Sequence, residues 1–268
     1  MESQLDQLVQ AVLGSPKYQY LSPELVYRIG KQEIIKRASI KEAIKATKNK
    51  LHQIGGAYLE KPPDYAKWLS ELRAIPAGDT LEINASCRRI LSWHASTRER
   101  LPILEDFYNE LFAHLPPIKT ILDIACGFNP LALPWMPLPP DAQYLAWDIY
   151  ADMVAFVNGF FDLVGQAGTA EVHDVLALTS TPRVDLALVL KTIPCLEQVD
   201  KSAGNQLLTA IQARYLLVSF PVQSLGGRSK GMPGHYETSF VRMMSGQPWG
   251  VKRFKFASEL VFLIDKGL

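Results

Sequence analysis

Through the first hundred positions the apolar residues recur at helical spacing. Leu5, Leu8, Val9, Val12 and Leu13 fall on one stripe, and a second stripe runs along Ile34–Leu51. Such a period predicts helices with one buried face. Pro62-Pro63 breaks the pattern and Asp64–Leu72 resumes it. Two further helical stretches, 81–93 and 102–114, flank a polar segment, His94–Arg100, and no period-two run occurs before residue 115. After Pro116-Pro117 the texture changes. Short apolar runs at Thr120–Ile124, Tyr144–Asp148, Glu171–His173, Val184–Leu190 and Tyr215–Ser219 read as strands. Helix-like stretches, notably Met153–Val164 and Ala203–Gln212, lie between most of them. Strands alternating with helices predict a parallel α/β sheet. The tail, Val251–Phe256 followed by Leu260–Asp265, reads as an antiparallel hairpin closing it. A boundary near residue 105 divides the chain into a helical part, 1–105, and an α/β part, 106–268.

Charge changes this picture by its distribution. The net charge is only +1, yet residues 1–105 carry 16 basic side chains against 12 acidic, and the remainder carries 12 against 15. Within Arg28–Lys50 there are eight basic residues (Arg28, Lys31, Lys36, Arg37, Lys41, Lys45, Lys48 and Lys50) against Glu33 and Glu42. A window of this kind is either a solvated helix face or a surface for a phosphate backbone. Three scattered cysteines, Cys87, Cys126 and Cys195, show no paired or metal-ligand spacing, which predicts a reducing compartment and no metal. No run approaches the roughly 20 apolar residues of a membrane span, and Met1-Glu2-Ser3-Gln4 does not open a signal peptide. A soluble, cytoplasmic protein is expected.

The candidate chemistry begins at Ile121-Leu122-Asp123-Ile124-Ala125-Cys126-Gly127-Phe128-Asn129. A strand running into small residues lets the backbone approach a ligand at the carboxyl edge of a sheet. Only Gly127 of a full glycine fingerprint is present, so an ordinary β-α turn fits equally well. Asp148 closes the next strand run, 25 residues beyond Asp123. That is close to the roughly 20-residue offset at which a carboxylate reaches ribose hydroxyls. Asp174 follows the third run and is placed to accept from an adenine amino group. Acids at successive strand ends, with neither a phosphate-binding lysine nor a glycine-rich cradle, suit S-adenosyl-L-methionine better than a dinucleotide. The segment His94–Arg100 supplies a cation for a methionine carboxylate, from Arg98 or Arg100.

Three stretches together resemble one family: His94-Ala95-Ser96-Thr97-Arg98-Glu99-Arg100-Leu101, then Leu122-Asp123-Ile124-Ala125-Cys126-Gly127-Phe128-Asn129-Pro130-Leu131-Ala132, and Ser224-Leu225-Gly226-Gly227-Arg228-Ser229-Lys230-Gly231-Met232. The family is the aminoglycoside-resistance 16S rRNA methyltransferases that modify guanine-1405 at N7, and the likeness covers nearly the whole chain. It implies a class-I Rossmann-like methyltransferase sheet behind an all-α RNA-docking domain. Its substrate would be 16S rRNA within the assembled 30S subunit, met by a monomer. By the same resemblance Arg100 would bind the methionine carboxylate, with His94, Ala95 and Ser96 lining that end and Ala125 and Gly127 forming the turn. Asp148 would hold the ribose, Asp174 and Val175 the adenine, and Leu190 and Gln198 would complete the pocket. Tyr58 would cover it, or else belong to the core.

On this reading Lys31, Lys36, Arg37, Lys41, Lys45 and Lys48 face rRNA phosphates. The glycine-rich stretch Ser224–Gly234, with Arg228, Lys230, Met232 and the following His235, forms either a second RNA surface or a plain β-α connection. Guanine N7 carries a free lone pair, so no general base is assigned. Pro194-Cys195 imitates the nucleophile position of cytosine-C5 methyltransferases, but Cys195 reads better as a small buried apolar residue. A small-molecule methyltransferase and a non-catalytic RNA-binding protein are the two rival functions.

Overall fold

The computed structural model describes residues 2–59, 61–222 and 232–268. Arg228, Lys230 and most of the glycine-rich stretch lie outside the described residues, as does the side chain of Met232. The helical part comprises α1 (Glu2–Leu13), α2 (Pro23–Lys36), α3 (Ile40–Leu51), α4 (Tyr65–Arg73), α5 (Thr80–Leu91), α6 (Ala95–Arg100) and α7 (Leu104–Phe112). Most begin on a local cap. The side chains of Ser22, Ser39, Asp64 and Asp79 each accept a backbone N–H from the first turn of the helix they precede, satisfying donors that would otherwise be orphaned.

The expected continuous stripe Ile34–Leu51 is in fact two helices. Arg37 turns extended at the end of α2, and Ser39 accepts from the Glu42 N–H to start α3. The basic window is therefore spread over two packed helices. The polar segment before the sheet is helical as well, as α6.

The α/β part contains β1 (Thr120–Ile124), β2 (Gln143–Asp148), α8 (Ala151–Val164), β3 (Gly168–Val172), β4 (Val184–Leu190), α9 (Ile193–Leu196), α10 (Ala203–Ala210), β5 (Ala213–Pro221), α11 (Met232–Met244), β6 (Gly250–Lys255) and β7 (Glu259–Asp265). They form a seven-stranded sheet in the order β3-β2-β1-β4-β5-β7-β6. The first five strands pair in parallel, and β7 runs antiparallel between β5 and β6. The predicted strand 171–173 is displaced to Gly168–Val172. This strand has one neighbour only and buries little beyond Ala170, so it carries a weak hydrophobic signal.

One crossover sets the architecture. Between β1 and β2, where a doubly wound sheet places a helix, the chain makes only a 3-10 stretch, Asn129–Trp135, containing Pro130 and Pro134. Proline cannot donate to an α-helical ladder. Helices α5 and α7 pack on this stretch instead. The buried cluster consequently runs without a break from Leu8 and Trp68 through Phe107 and Phe128 to Phe156 and Leu263.

Candidate active site

The order of the sheet reverses between β1 and β4, and at such a switch point the carboxyl ends of the strands splay to leave a crevice. Both strands leave the sheet through a left-handed residue that is not glycine: Ala125, φ 53°, after β1 and Lys191, φ 58°, after β4. A Cβ in that region costs on the order of 1–3 kcal/mol and is kept where a site requires it. The two turns border a cleft lined mainly by apolar side chains with a few polar groups among them, as small-ligand sites are.

Tyr58, His94, Ser96, Ala125, Asp148, Asp174, Val175 and Leu190 all line this cleft, so residues drawn from six separate parts of the sequence meet. Asp148 is buried at the end of β2. Its Oδ2 accepts the Gly127 N–H at 2.9 Å, and its Oδ1 accepts the Ile149 N–H at 2.7 Å and the Tyr150 N–H at 3.3 Å. Burial pushes its pKa up, against the pull of those three donors. Asp174 accepts from Leu176 N–H at 3.1 Å. It also takes a two-pronged ion pair from Arg28, with Nε at 2.7 Å and Nη2 at 2.8 Å. His94 stacks on Tyr58 with ring centroids 5.5 Å apart. Burial, helped by Lys191, Arg100 and Arg98, drops its pKa to about 3, so it is neutral, and its Nδ1 has no hydrogen-bond partner.

Two expected residues stand just behind the wall. Ala95 donates its N–H to the Tyr58 carbonyl at 2.9 Å. Gly127, φ 51°, lies against the His94 ring, where an added Cβ would come within 3.0 Å of Cε1.

Two others require correction. Arg100 does not project into the cleft as a free cation. It is 1% exposed, and it donates from Nε and Nη2 to the two carboxylate oxygens of Glu259, at 2.7 and 3.1 Å, and from Nη1 to Asn129 Oδ1 at 2.7 Å. The cation in the wall is Lys191, whose Nζ donates to the Ser96 carbonyl at 3.1 Å and to Glu99 at 2.7 Å. Gln198 is exposed, with its Nε2 turned back to the Pro194 carbonyl at 3.4 Å. The chain leaves the wall after Leu196, at the end of α9.

Asp123, the first strand-end acid of the sequence, is not in the wall either. It is buried, accepting from Asn129 Nδ2 and the Tyr144 hydroxyl, and burial raises its pKa to about 6. Cys195 does line the cleft. Its thiol lies 2.9 Å from the Tyr58 hydroxyl, and burial pushes its pKa to about 11. A protonated thiol is a poor nucleophile, which favours the apolar reading of this residue.

No motif pointed to Leu25, Ile54 or Gly55, which also line the cleft. They come from α2 and from a π-helical turn, His52–Gly56. An added Cβ on Gly55 would lie 2.9 Å from the Tyr150 ring. A lysine directly after an apolar strand was the available signal for Lys191.

On the helical face, Lys31, Lys36, Lys41 and Lys45 are exposed. Arg37 is exposed but paired with the buried Glu33 at 3.0 Å. Lys48 is half-buried, donating to Ser15 Oγ at 2.5 Å. His235 is exposed on α11. Among the described residues no group of three or more His, Cys, Asp or Glu side chains is arranged to hold a metal ion. No described helix is long and apolar enough to cross a membrane.

Strand order, antiparallel β7 and the switch-point cleft together define a Rossmann-like methyltransferase fold. Solved structures agree. The 16S rRNA methyltransferase RmtF, in complex with S-adenosyl-L-homocysteine, superimposes with a TM-score of 0.82 at 32% identity over 99% of both chains. The chain belongs to the ribosomal RNA methyltransferase (FmrO) family, whose model matches residues 14–263. It is also similar to 16S rRNA (guanine(1405)-N(7))-methyltransferases of Micromonospora echinospora and Serratia marcescens. The former is 39% identical over 99% of this chain and 98% of the relative. The latter is 33% identical over 98% of each.

Proposed function

We propose that this protein transfers a methyl group from S-adenosyl-L-methionine to N7 of guanine-1405 in 16S rRNA, giving aminoglycoside resistance. The observation that carries the reading is the meeting of Tyr58, His94, Ser96, Asp148, Asp174 and Val175 in one cleft, in a chain whose family is ribosomal RNA methyltransferases. The lining fits the cofactor. A buried carboxylate at β2 suits ribose hydroxyls, and Asp174 suits an adenine amino group between the apolar side chains of Leu25, Val175 and Leu176. The neutral His94 presents an unpartnered Nδ1. Lys191, held by the Ser96 carbonyl and Glu99, brings an ammonium group into the wall for a carboxylate.

When bound, S-adenosyl-L-methionine supplies an electrophilic methyl group. N7 of guanine brings its own lone pair, so the protein has no proton to remove. The titratable groups agree with that division of labour. His94 is an uncharged imidazole near neutrality, while Cys195 and Tyr58 keep their protons, the phenol because burial raises its pKa well above its ordinary range. What remains is to hold the reactants in line and exclude water, which is where positioning and preorganised charge contribute most. The rate of the bound complex is expected to be flat with pH near neutrality.

Residues 1–105 dock the RNA and 106–268 carry out transfer. Lys31, Lys36, Lys41 and Lys45 contact phosphates and set register rather than base choice. The substrate is the assembled 30S subunit, met in the cytoplasm by a monomer. The test is transfer of labelled methyl to purified 30S subunits, free 16S RNA and a no-RNA control, followed by chemical cleavage at N7-methylguanosine. Label on 30S with a single break at guanine-1405 is expected. Cofactor binding without transfer to any ribosomal substrate would refute the reading in favour of a small-molecule methyltransferase.

A further inference from the structure

The wall of the cleft is not made by the α/β part alone. The start of α2 is tied to the chain just after Asp148: Ser22 N–H donates to the Ile149 carbonyl at 2.9 Å, and Ala151 N–H donates to the Tyr20 carbonyl at 2.8 Å. Leu25, in the first turn, enters the wall itself. Less than one turn further, Arg28 reaches the other acid of the site, Asp174, across a separation of 146 residues. The two side chains are 25% and 7% exposed, so solvent screens them poorly. A guanidinium fork on a carboxylate fixes the plane of that carboxylate as well as its charge. The orientation matters at Asp174, because the same side chain caps the turn Val175–Ala177 that forms the adenine side of the wall.

We propose that Arg28 is a positioning residue for adenine recognition. By clamping both oxygens of Asp174, it leaves the outward lone pairs aimed at the 6-amino group of the cofactor. This rests on the assignment of Asp174 to the adenine. Arg28 belongs to the basic window of the sequence, but its charge is directed inward; α2 is a wall of the cofactor site as much as a docking element.

The test is a cycle between the protein and the ligand. Affinity for S-adenosyl-L-homocysteine and for S-inosyl-L-homocysteine, in which a carbonyl replaces the 6-amino group, is measured by calorimetry. Wild type, Arg28→Gln and Arg28→Lys are compared, with melting curves confirming that each is folded. Wild type is expected to prefer the amino ligand by on the order of tenfold or more. Arg28→Gln should lose most of that preference, weakening the amino ligand about tenfold and the inosyl ligand less than about twofold. Arg28→Lys keeps the charge without the fork and should fall between them, so it carries the test if the glutamine variant does not fold. Equal weakening of both ligands in either variant overturns the proposal, since Arg28 would then be a structural tie only. Absence of any preference in wild type overturns instead the adenine role of Asp174, and the proposal with it.

Discussion

Replacing Glu259 by alanine is the most severe single perturbation the structure identifies. This residue opens β7 with no exposure to solvent, and it faces Arg100, 1% exposed, and Lys191, 4% exposed. Its oxygens lie 2.7 and 3.1 Å from Arg100 nitrogens and 3.4 Å from Lys191 Nζ. Burial favours the neutral acid, but the two cations outweigh it and hold the Glu259 pKa below its ordinary value. Removing the carboxylate leaves the Arg100 guanidinium with Asn129 at 2.7 Å and the face of Phe107, 4.7 Å from its ring centroid. An uncompensated buried charge of this kind costs about 3–5 kcal/mol. At about 2–4 °C per kcal/mol for a chain of this size, the melting temperature should fall by roughly 6–20 °C. Urea denaturation and thermal melting followed by circular dichroism give both quantities. The double variant Arg100→Met/Glu259→Leu removes the pair together and should cost less than Glu259→Ala alone. A loss below about 1 kcal/mol for the single variant, or a double variant worse than the single, would refute the reasoning.

Stability against pH provides a second check. The His94 pKa is about 3 in the folded protein against an ordinary 6.5, so on acidification the unfolded chain takes up a proton the native state refuses. Stability is lost as pH falls between those values, by up to about 1.4 kcal/mol per pH unit. Asp123 opposes it. With a pKa of about 6 against 3.8, its native carboxyl gains a proton first, and its contribution is lost as pH rises through that window. Asp123→Asn should therefore steepen the acid loss between about pH 4 and 6 and His94→Gln should reverse it, as read from urea titrations; parallel curves for the three proteins count against both assignments. Cys195→Ala should retain turnover, because the buried thiol stays protonated; abolished transfer with intact cofactor binding would restore the nucleophile. Changing Lys31, Lys36, Lys41 and Lys45 together to glutamine should lower the salt dependence of 30S binding by about one unit of slope per lost phosphate contact. An unchanged slope would leave these lysines as a solvated face.

The sequence was legible where burial is regular. β1, β2 and β4 are covered on both faces, and their apolar runs stand out; β4 was located residue for residue. The edge strand β3 buries little and was displaced. Helical periodicity placed α5 and α7 but could not see the break at Arg37, because apolar residues continue at suitable spacing on both sides of it. Motif resemblance brought the right segments to the cleft without giving the direction of each side chain. Gln198 folds back on its own turn, and Arg100 is held by a glutamate 159 positions away that no local pattern connects to it. Leu25 and Ile54 lie outside the helical stripes read from the sequence, and their place in the wall depends on how α2 and the π-turn after α3 rest on the loop after β2.

The ion pair between Arg100 and Glu259 also bears on how the protein is made. The segment that carries His94 and Ser96 into the cleft is anchored by a residue in the last strand of the sheet, across a sequence separation of 159. Contacts so remote in the chain are entropically expensive to close and form late. During synthesis, the helices and the five parallel strands emerge before the partner of Arg100 exists. Until β7 inserts between β5 and β6, the guanidinium has no buried carboxylate to enter the core with. That end of the cleft is thus completed by the same event that completes the sheet, so a nascent chain stalled before that point is a fold without a finished site.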